Sequence, residues 1–279
     1  MSLRTLQARF EDFDGHRSVV LRWRPAARVR AQALFVPAFG DEMNQSRRMV
    51  RLAAEALAGR GVEGWVFDLH GTGDSSAGFA DATVQRWLAD CRTIAARVAA
   101  DPAVPLVLVG CRLGVALAVQ LSHDLARPVA ALVGWAPVLQ GRAQLSGLLR
   151  AVALARSQRP EAAEADPRAL WAAGQAAMLG GYPVSSALAE ELEAFDARRA
   201  PRTTRVTLID VRVPVGDAPV TVSEALRKRA AEWSEAGTPT EVQAVAGAGF
   251  WNVADLVDVP ALVDLTVNVV EAALVGTAA

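Results

Sequence analysis

Short apolar runs alternate with stretches of helical periodicity along most of this chain. Residues 4–11 and 17–24 alternate apolar and polar positions like two half-buried strands, and Asp14-Gly15 between them is a hairpin turn signal. Ala31–Val36 is an apolar strand stopped at Pro37. Met49, Leu52, Ala53, Ala56 and Leu57 then recur at helical spacing until Gly59 and Gly61. A strand at 62–68, a helix near 82–100, a strand running into Gly110, a helix over 113–126 and a strand at 129–135 follow. After a long interruption the pattern resumes with a strand at 204–211, a helix near 221–236, a strand at 240–246 and a helix near 252–275.

Strands alternating with helices predict an α/β fold, a mostly parallel eight-stranded sheet with helices on both faces. The interruption at 140–200 is rich in Ala, Leu and Glu, with breaks at Pro160, Pro167 and Gly180-Gly181-Tyr182-Pro183. It reads as several short helices, a helical lid over the carboxyl edge of the sheet. The expected organisation is core over 1–139, lid over 140–200 and core again over 201–279.

Composition removes several function classes. The formal net charge is −1, so no basic field points to nucleic acid. The two cysteines, Cys91 and Cys111, make no disulfide framework and fit a reducing cytoplasm. The N-terminal residues carry no apolar core of a signal peptide, and no apolar run is long enough to span a bilayer. No cofactor or metal motif is read. His70-Gly71-Thr72-Gly73-Asp74-Ser75 is glycine-rich but lacks the lysine and the spacing of nucleotide loops.

The chemistry concentrates around residues 104–114, Val-Pro-Leu-Val-Leu-Val-Gly-Cys-Arg-Leu-Gly. A buried strand, a G-x-x-x-G turn and a helix start resemble the nucleophile elbow of α/β-hydrolases, whose middle residue is normally Ser. Here that residue is Arg112, a permanent cation and no nucleophile. The histidine of the Ser-acid-His order belongs after the last strand, where the chain reads Ala246-Gly247-Ala248-Gly249-Phe250-Trp251-Asn252, with Phe250 in that seat. His16 and His123 read as solvent or packing residues, His123 exposed, while the loop of His70 borders the expected pocket. Asp210 and Asp217 are candidates for the acid, without a histidine to orient.

An elbow side chain stands at the carboxyl edge of the sheet with a helix N-terminus behind it. Arg112 there favours a carboxylate, a phosphate or a polarised carbonyl, and the backbone N–H groups of Leu113 and near Phe39 would form the oxyanion pair. The competing reading is an internal salt bridge from Arg112 to Glu42 or Asp74. Cys111, one residue before the apex, reads as a small buried residue rather than a nucleophile. The segment Pro37–Met49 is expected as a polar loop: Glu42 as general base or partner of Arg112, Asn44 and Arg47 on a polar head group, Ser46 as N-cap of the following helix.

Taken together, Val36–Met49, Asp68–Ser75, Gly110–Gly114, Trp135–Gly141 and Gly249–Trp251 resemble one subgroup of the α/β-hydrolase superfamily, the type 2 hydrolase-like protein associated with the exosortase A system of Gram-negative bacteria. That subgroup also carries Arg at the elbow and no His before the Phe-Trp pair. His70 and Cys111 depart from its usual Tyr and Leu. The resemblance implies hydrolase chemistry near exopolysaccharide and protein-sorting functions, but a shared fold does not establish a reaction.

The function expected is an ester or thioester hydrolase or acyltransferase with a non-triad site. Arg112, Glu42 and Asp74 are its catalytic candidates. Phe39, Leu113, Asn44, Arg47, His70 and Trp251 would bind a small acyl or anionic substrate. The alternatives are a catalytically inactive protein that binds an anionic acyl or glycan-lipid intermediate, and a structural partner in an assembly.

Overall fold

The computed structural model describes residues 5–126, 128–158, 165–216, 218–253 and 255–275. Asp217 and Pro160 therefore lie outside the described residues. The chain opens with the antiparallel strands β1 (Thr5–Phe13) and β2 (His16–Arg24), joined at Gly15, whose φ of 79° suits the tight turn. The sheet then continues with β3 (Ala31–Val36), β4 (Val62–Phe67), β5 (Leu106–Cys111) and β6 (Ala131–Trp135). Helices α1 (Asp41–Ala58), α2 (Val84–Val98) and α3 (Gly114–Asp124) connect β3 through β6.

Residues 141–194 form an insert. It contains α4 (Gly141–Gln158), α5 (Pro167–Ala172), a hairpin of β7 (Ala177–Leu179) and β8 (Tyr182–Val184), and α6 (Ser186–Ala194). The sheet resumes with β9 (Val206–Arg212), α7 (Glu224–Glu235), β10 (Thr240–Ala246) and α8 (Pro260–Val275). The eight-stranded order is β1-β2-β4-β3-β5-β6-β9-β10, parallel from β4 to β10 and antiparallel at β1 and β2. This is the α/β-hydrolase fold.

The central strands β3, β5 and β6 are buried at every position, which is why they read as continuous apolar runs. One core layer packs Leu34, Leu108 and Leu132 against Trp87, Ile94 and Leu117. The other packs Phe35, Val109 and Val133 against Met49, Leu57 and Leu262. Among the described residues no helix is long and apolar enough to cross a membrane.

Two expectations are corrected. The insert is not all-helical, because Gly180 and Gly181, with φ of 58° and 83°, turn three residues on each side into a hairpin. The polar segment before Met49 is not a loop. α1 starts at Asp41, behind Gly40 at φ 51°, so Glu42, Asn44, Ser46 and Arg47 are helical. Ser46 is thus no N-cap: its Oγ donates to the Glu42 carbonyl at 2.5 Å, one turn back.

Candidate active site

At the end of β5 the chain bends sharply into α3, and the bend is made by one residue. Arg112 has φ 54°, left-handed backbone that costs an L-residue roughly 1–2 kcal/mol. The flanking glycines are required by close approach. A Cβ at Gly110 would stand 2.6 Å from Val115 Cα, and one at Gly114 would stand 2.3 Å from the Val36 carbonyl oxygen. The geometry is that of a strained elbow, with arginine at its apex.

The apex side chain is fixed from three sides. Arg112 Nε donates to Glu42 Oε1 at 3.0 Å, and Nη2 lies 3.0 Å from the same oxygen. Nη1 donates to the carbonyl of Ala136 at 3.2 Å. The guanidinium lies over the Trp251 ring, 4.9 Å from its centroid. Of the two partners considered for Arg112, the structure places Glu42, not Asp74, against it.

Glu42 sits in the first turn of α1, and Leu113 is the N-cap of α3, so two helix N-termini converge on this pair. Burial raises the Glu42 carboxyl above its ordinary range, and Arg112 offsets only part of that. Gln144 on α4 adds a weaker stabilisation of the carboxylate, yet Glu42 Oε2 is buried without an aligned donor. The Oε1 atom of Gln144 is likewise buried and without a partner. Nothing in the sequence signalled Gln144. Only the packing of α4 brings it to this carboxylate.

These groups line a cavity of about 600 Å³ between the sheet edge and the insert. Its polar wall includes Asp41, Glu42, Arg112, Gln144, Arg150 and Asn252, and its apolar wall includes Phe39, Leu148 and Trp251. Four expected site residues therefore meet in one space: Arg112, Glu42, Phe39 and Trp251. Leu113 is buried beside them as the next residue after the apex.

The others lie elsewhere. Asn44, Arg47 and Asp74 line a separate polar notch with Tyr182. There Asn44 Nδ2 donates to the Tyr182 hydroxyl at 3.1 Å. Arg47 Nη2 reaches both oxygens of buried Asp68 at 2.9 Å. Asp74 is exposed, and its own N–H is tied to Asp68 Oδ2 at 2.9 Å. His70 does not border the cavity. It is buried against His16, with ring centroids 4.7 Å apart, and accepts from Arg86 Nη1 at 3.1 Å. Burial first, then the charges of His16 and Arg86, lower its pKa.

The remaining hydrolase seats have structural occupants. Phe250 is buried after β10, edge-on to Trp135 and Trp251. Asp210 Oδ2 accepts the N–H of Ser223, the N-cap of α7, at 2.8 Å. Cys111 faces the α1 side, 3.5 Å from Ser46 Oγ, and burial pushes its thiol up to about 12. His123 is half-buried rather than exposed.

Comparison with known proteins agrees with this architecture. The serine aminopeptidase (S33) hydrolase model matches residues 27–171, just over half of the chain. Among curated proteins nothing matches. Est1E from Butyrivibrio proteoclasticus, solved with ferulic acid, is 13% identical with a TM-score of 0.69, over 96% of this chain and 100% of that one. A soluble variant of monoglyceride lipase from Saccharomyces cerevisiae, solved with a substrate analogue, is 14% identical with a TM-score of 0.64, over 98% and 96% of the two chains. At such identities the two structures speak for the fold alone. The family match and the architecture together make this chain a member of the serine aminopeptidase (S33) family of α/β-hydrolases.

Proposed function

We propose that this protein hydrolyses, or transfers the acyl group of, a small ester or thioester through the Arg112–Glu42 pair rather than a Ser-His-acid triad. The observation that carries the reading is the division of labour on one carboxylate. Oε1 of Glu42 holds Arg112, while Oε2 is buried without an aligned donor in a group whose pKa burial has raised. A carboxyl raised toward neutrality is suited to general base work.

In this reading Glu42 Oε2 takes a proton from water as the water oxygen attacks the substrate carbonyl. The carbonyl electrons move onto its oxygen, which the Arg112 guanidinium and the N–H groups of Leu113 and Phe39 stabilise. Collapse expels the alkoxide or thiolate, which recovers the proton from Glu42. The products are a carboxylic acid and an alcohol or thiol. The apolar wall around Leu148 and Phe39 receives the acyl chain, and the insert acts as the lid. The resemblance to the exosortase A-associated subgroup favours a substrate linked to exopolysaccharide or protein sorting. Asn44, Arg47 and Asp74 have no part in this reaction, nor does His70.

One observation favours the alternative, a protein that binds an anionic acyl or glycan-lipid intermediate without turning it over. A second arginine, Arg150, lines the same cavity beside Arg112, so an anionic group there meets two cations. Assaying a panel of acyl esters and thioesters with wild type, Arg112→Ala and Glu42→Gln separates the two. The hydrolytic reading requires turnover that both substitutions depress at least about 100-fold. Wild type without turnover, but with ligand-dependent stabilisation lost in Arg112→Ala, selects binding.

A further inference from the structure

A second cavity lies on the other side of the elbow strand. It has a volume of about 200 Å³ and is enclosed between the N-terminal half of α1 and one face of the sheet. The sheet wall is a single row set by strand register: Leu21 pairs with Val66, Phe35 with Val66, and Phe35 with Val109. Cys111 and Trp135, paired one step along, close its inner end. The helix wall includes Met43, Ser46 and Val50, small or flexible side chains on α1, with Arg47, paired to buried Asp68, and Arg51 at its edges.

The space follows from how α1 meets the sheet. At its C-terminal half the helix touches the strands, since a Cβ on Gly64 would stand 3.0 Å from Ala54 Cβ. Toward its N-terminus the row of large strand residues faces Ser46 and Val50, and the gap opens. The inner polar atoms are paired: Ser46 Oγ gives its proton to the Glu42 carbonyl and contacts Cys111 Sγ. A cavity with such walls has few partners for water and stays receptive to hydrocarbon, as apolar protein cavities of about 150 Å³ hold benzene. At the outer end the exposed residues Leu6 and Arg51 stand at the rim. Arg51 makes an exposed surface pair with Glu55 and stands in the field of Asp258, and an exposed pair of this kind is weak enough for a ligand anion to compete with.

We propose that this chamber binds the hydrocarbon tail of a medium-chain carboxylate, tail inward toward Cys111 and Trp135, headgroup on Arg51. It is separate from the Arg112 cavity, but its walls include the helix that carries Glu42 and the strand β5 that runs into Arg112. A tail lodged there touches both elements behind the reacting pair.

The test is thermal shift with octanoate and with 1-octanol on the full chain. In wild type both raise Tm with increasing concentration. Val66→Phe and, as a second blocking variant, Val50→Phe lose both shifts while each retains the wild-type circular dichroism. Arg51→Gln loses most of the octanoate shift and keeps the octanol shift. Arg112→Ala keeps both shifts. The proposal is overturned if wild type shows no shift with either probe. It is equally overturned if the shifts survive in a folded blocking variant and vanish in Arg112→Ala, which places the tail in the other cavity.

Discussion

Arg112 and Glu42 come from different elements, 70 positions apart, and meet through a single oxygen: Nε and Nη2 both reach Glu42 Oε1 at 3.0 Å. The pair is about one-fifth exposed on each side, so it is neither a free surface pair nor a fully desolvated one. Its geometry is asymmetric: Oε1 carries the ion pair, while Oε2 is buried without a hydrogen-bond partner.

The pair makes a stability prediction. Arg112→Ala leaves a buried carboxylate without its cation and destabilises by about 2 kcal/mol. Glu42 then loses the partner that lowers its pKa, so its pKa rises further. A carboxyl raised in the folded state gives stability at low pH that is lost as pH climbs through its folded pKa. The deficit of Arg112→Ala should therefore grow between acid and neutral pH, measured by urea denaturation. Arg112→Gly should recover about 1 kcal/mol relative to Arg112→Ala, because glycine adopts the left-handed backbone without strain.

Asp90 predicts a second pH effect. Burial pushes its carboxyl up to about 7, against the His70 N–H at 2.6 Å and the nearby charge of Arg86, with the charge of Asp14 adding to the rise. His16 Nε2 stands 3.6 Å away. The neutral acid is the form that folding favours, so this group costs stability as pH rises from about 4 through 7, on the order of a few kcal/mol at most. Asp90→Asn retains an acceptor for the His70 N–H. It should flatten the decline in Tm over that window. An unchanged slope in the variant would contradict the assignment.

The elbow glycines should differ sharply from the hairpin glycine. Gly114→Ala drives a Cβ into the backbone of Val36 and Pro37 and should cost about 3 kcal/mol or more, or prevent folding. Gly15→Ala meets no atom within 4 Å, and only its φ of 79° is unfavourable, so about 1 kcal/mol is expected. Chemical denaturation of the two variants measures the contrast.

Both cysteines are buried and free, and burial raises both thiols, Cys111 to about 12. Neither is a thiolate at neutral pH. Labelling by a thiol-specific disulfide reagent at pH 8 should be slow and follow the rate of local or global opening. Fast stoichiometric labelling of native protein would make Cys111 a reactive group after all.

The parts of the fold most legible in sequence are strands bounded by strong breaks, whether fully buried like β3 or half-exposed like β10. Ala31–Val36 and residues 240–246 were located to the residue. The first is an apolar run ending at proline, and the second lies between a Thr-Pro break and a glycine loop. The start of α1 was hidden because its first two turns are polar on most faces and are capped by Gly40 backbone, not by a side chain. The β7–β8 hairpin was hidden because three-residue strands carry no periodicity. α8 starts at Pro260 rather than near 252, where proline suits a first helical turn.

The site was legible in outline. The glycine spacing announced the elbow and put Arg112 at its apex. The choice between Glu42 and Asp74 needed the third dimension, because it depends on α1 starting early enough to carry Glu42 toward the elbow. His70 was drawn away by contacts with His16 on β2 and with Arg86 and Asp90 on α2, elements distant in the chain.

The most direct measurement is the pH dependence of kcat/KM for the best ester or thioester of the panel, for wild type and Glu42→Gln. The account predicts a rate that rises with pH through one ionisation above the ordinary carboxylate range, and loss of both the rate and that ionisation in the variant. Full turnover by Glu42→Gln with an unchanged profile, or no turnover by wild type on any substrate, would contradict it.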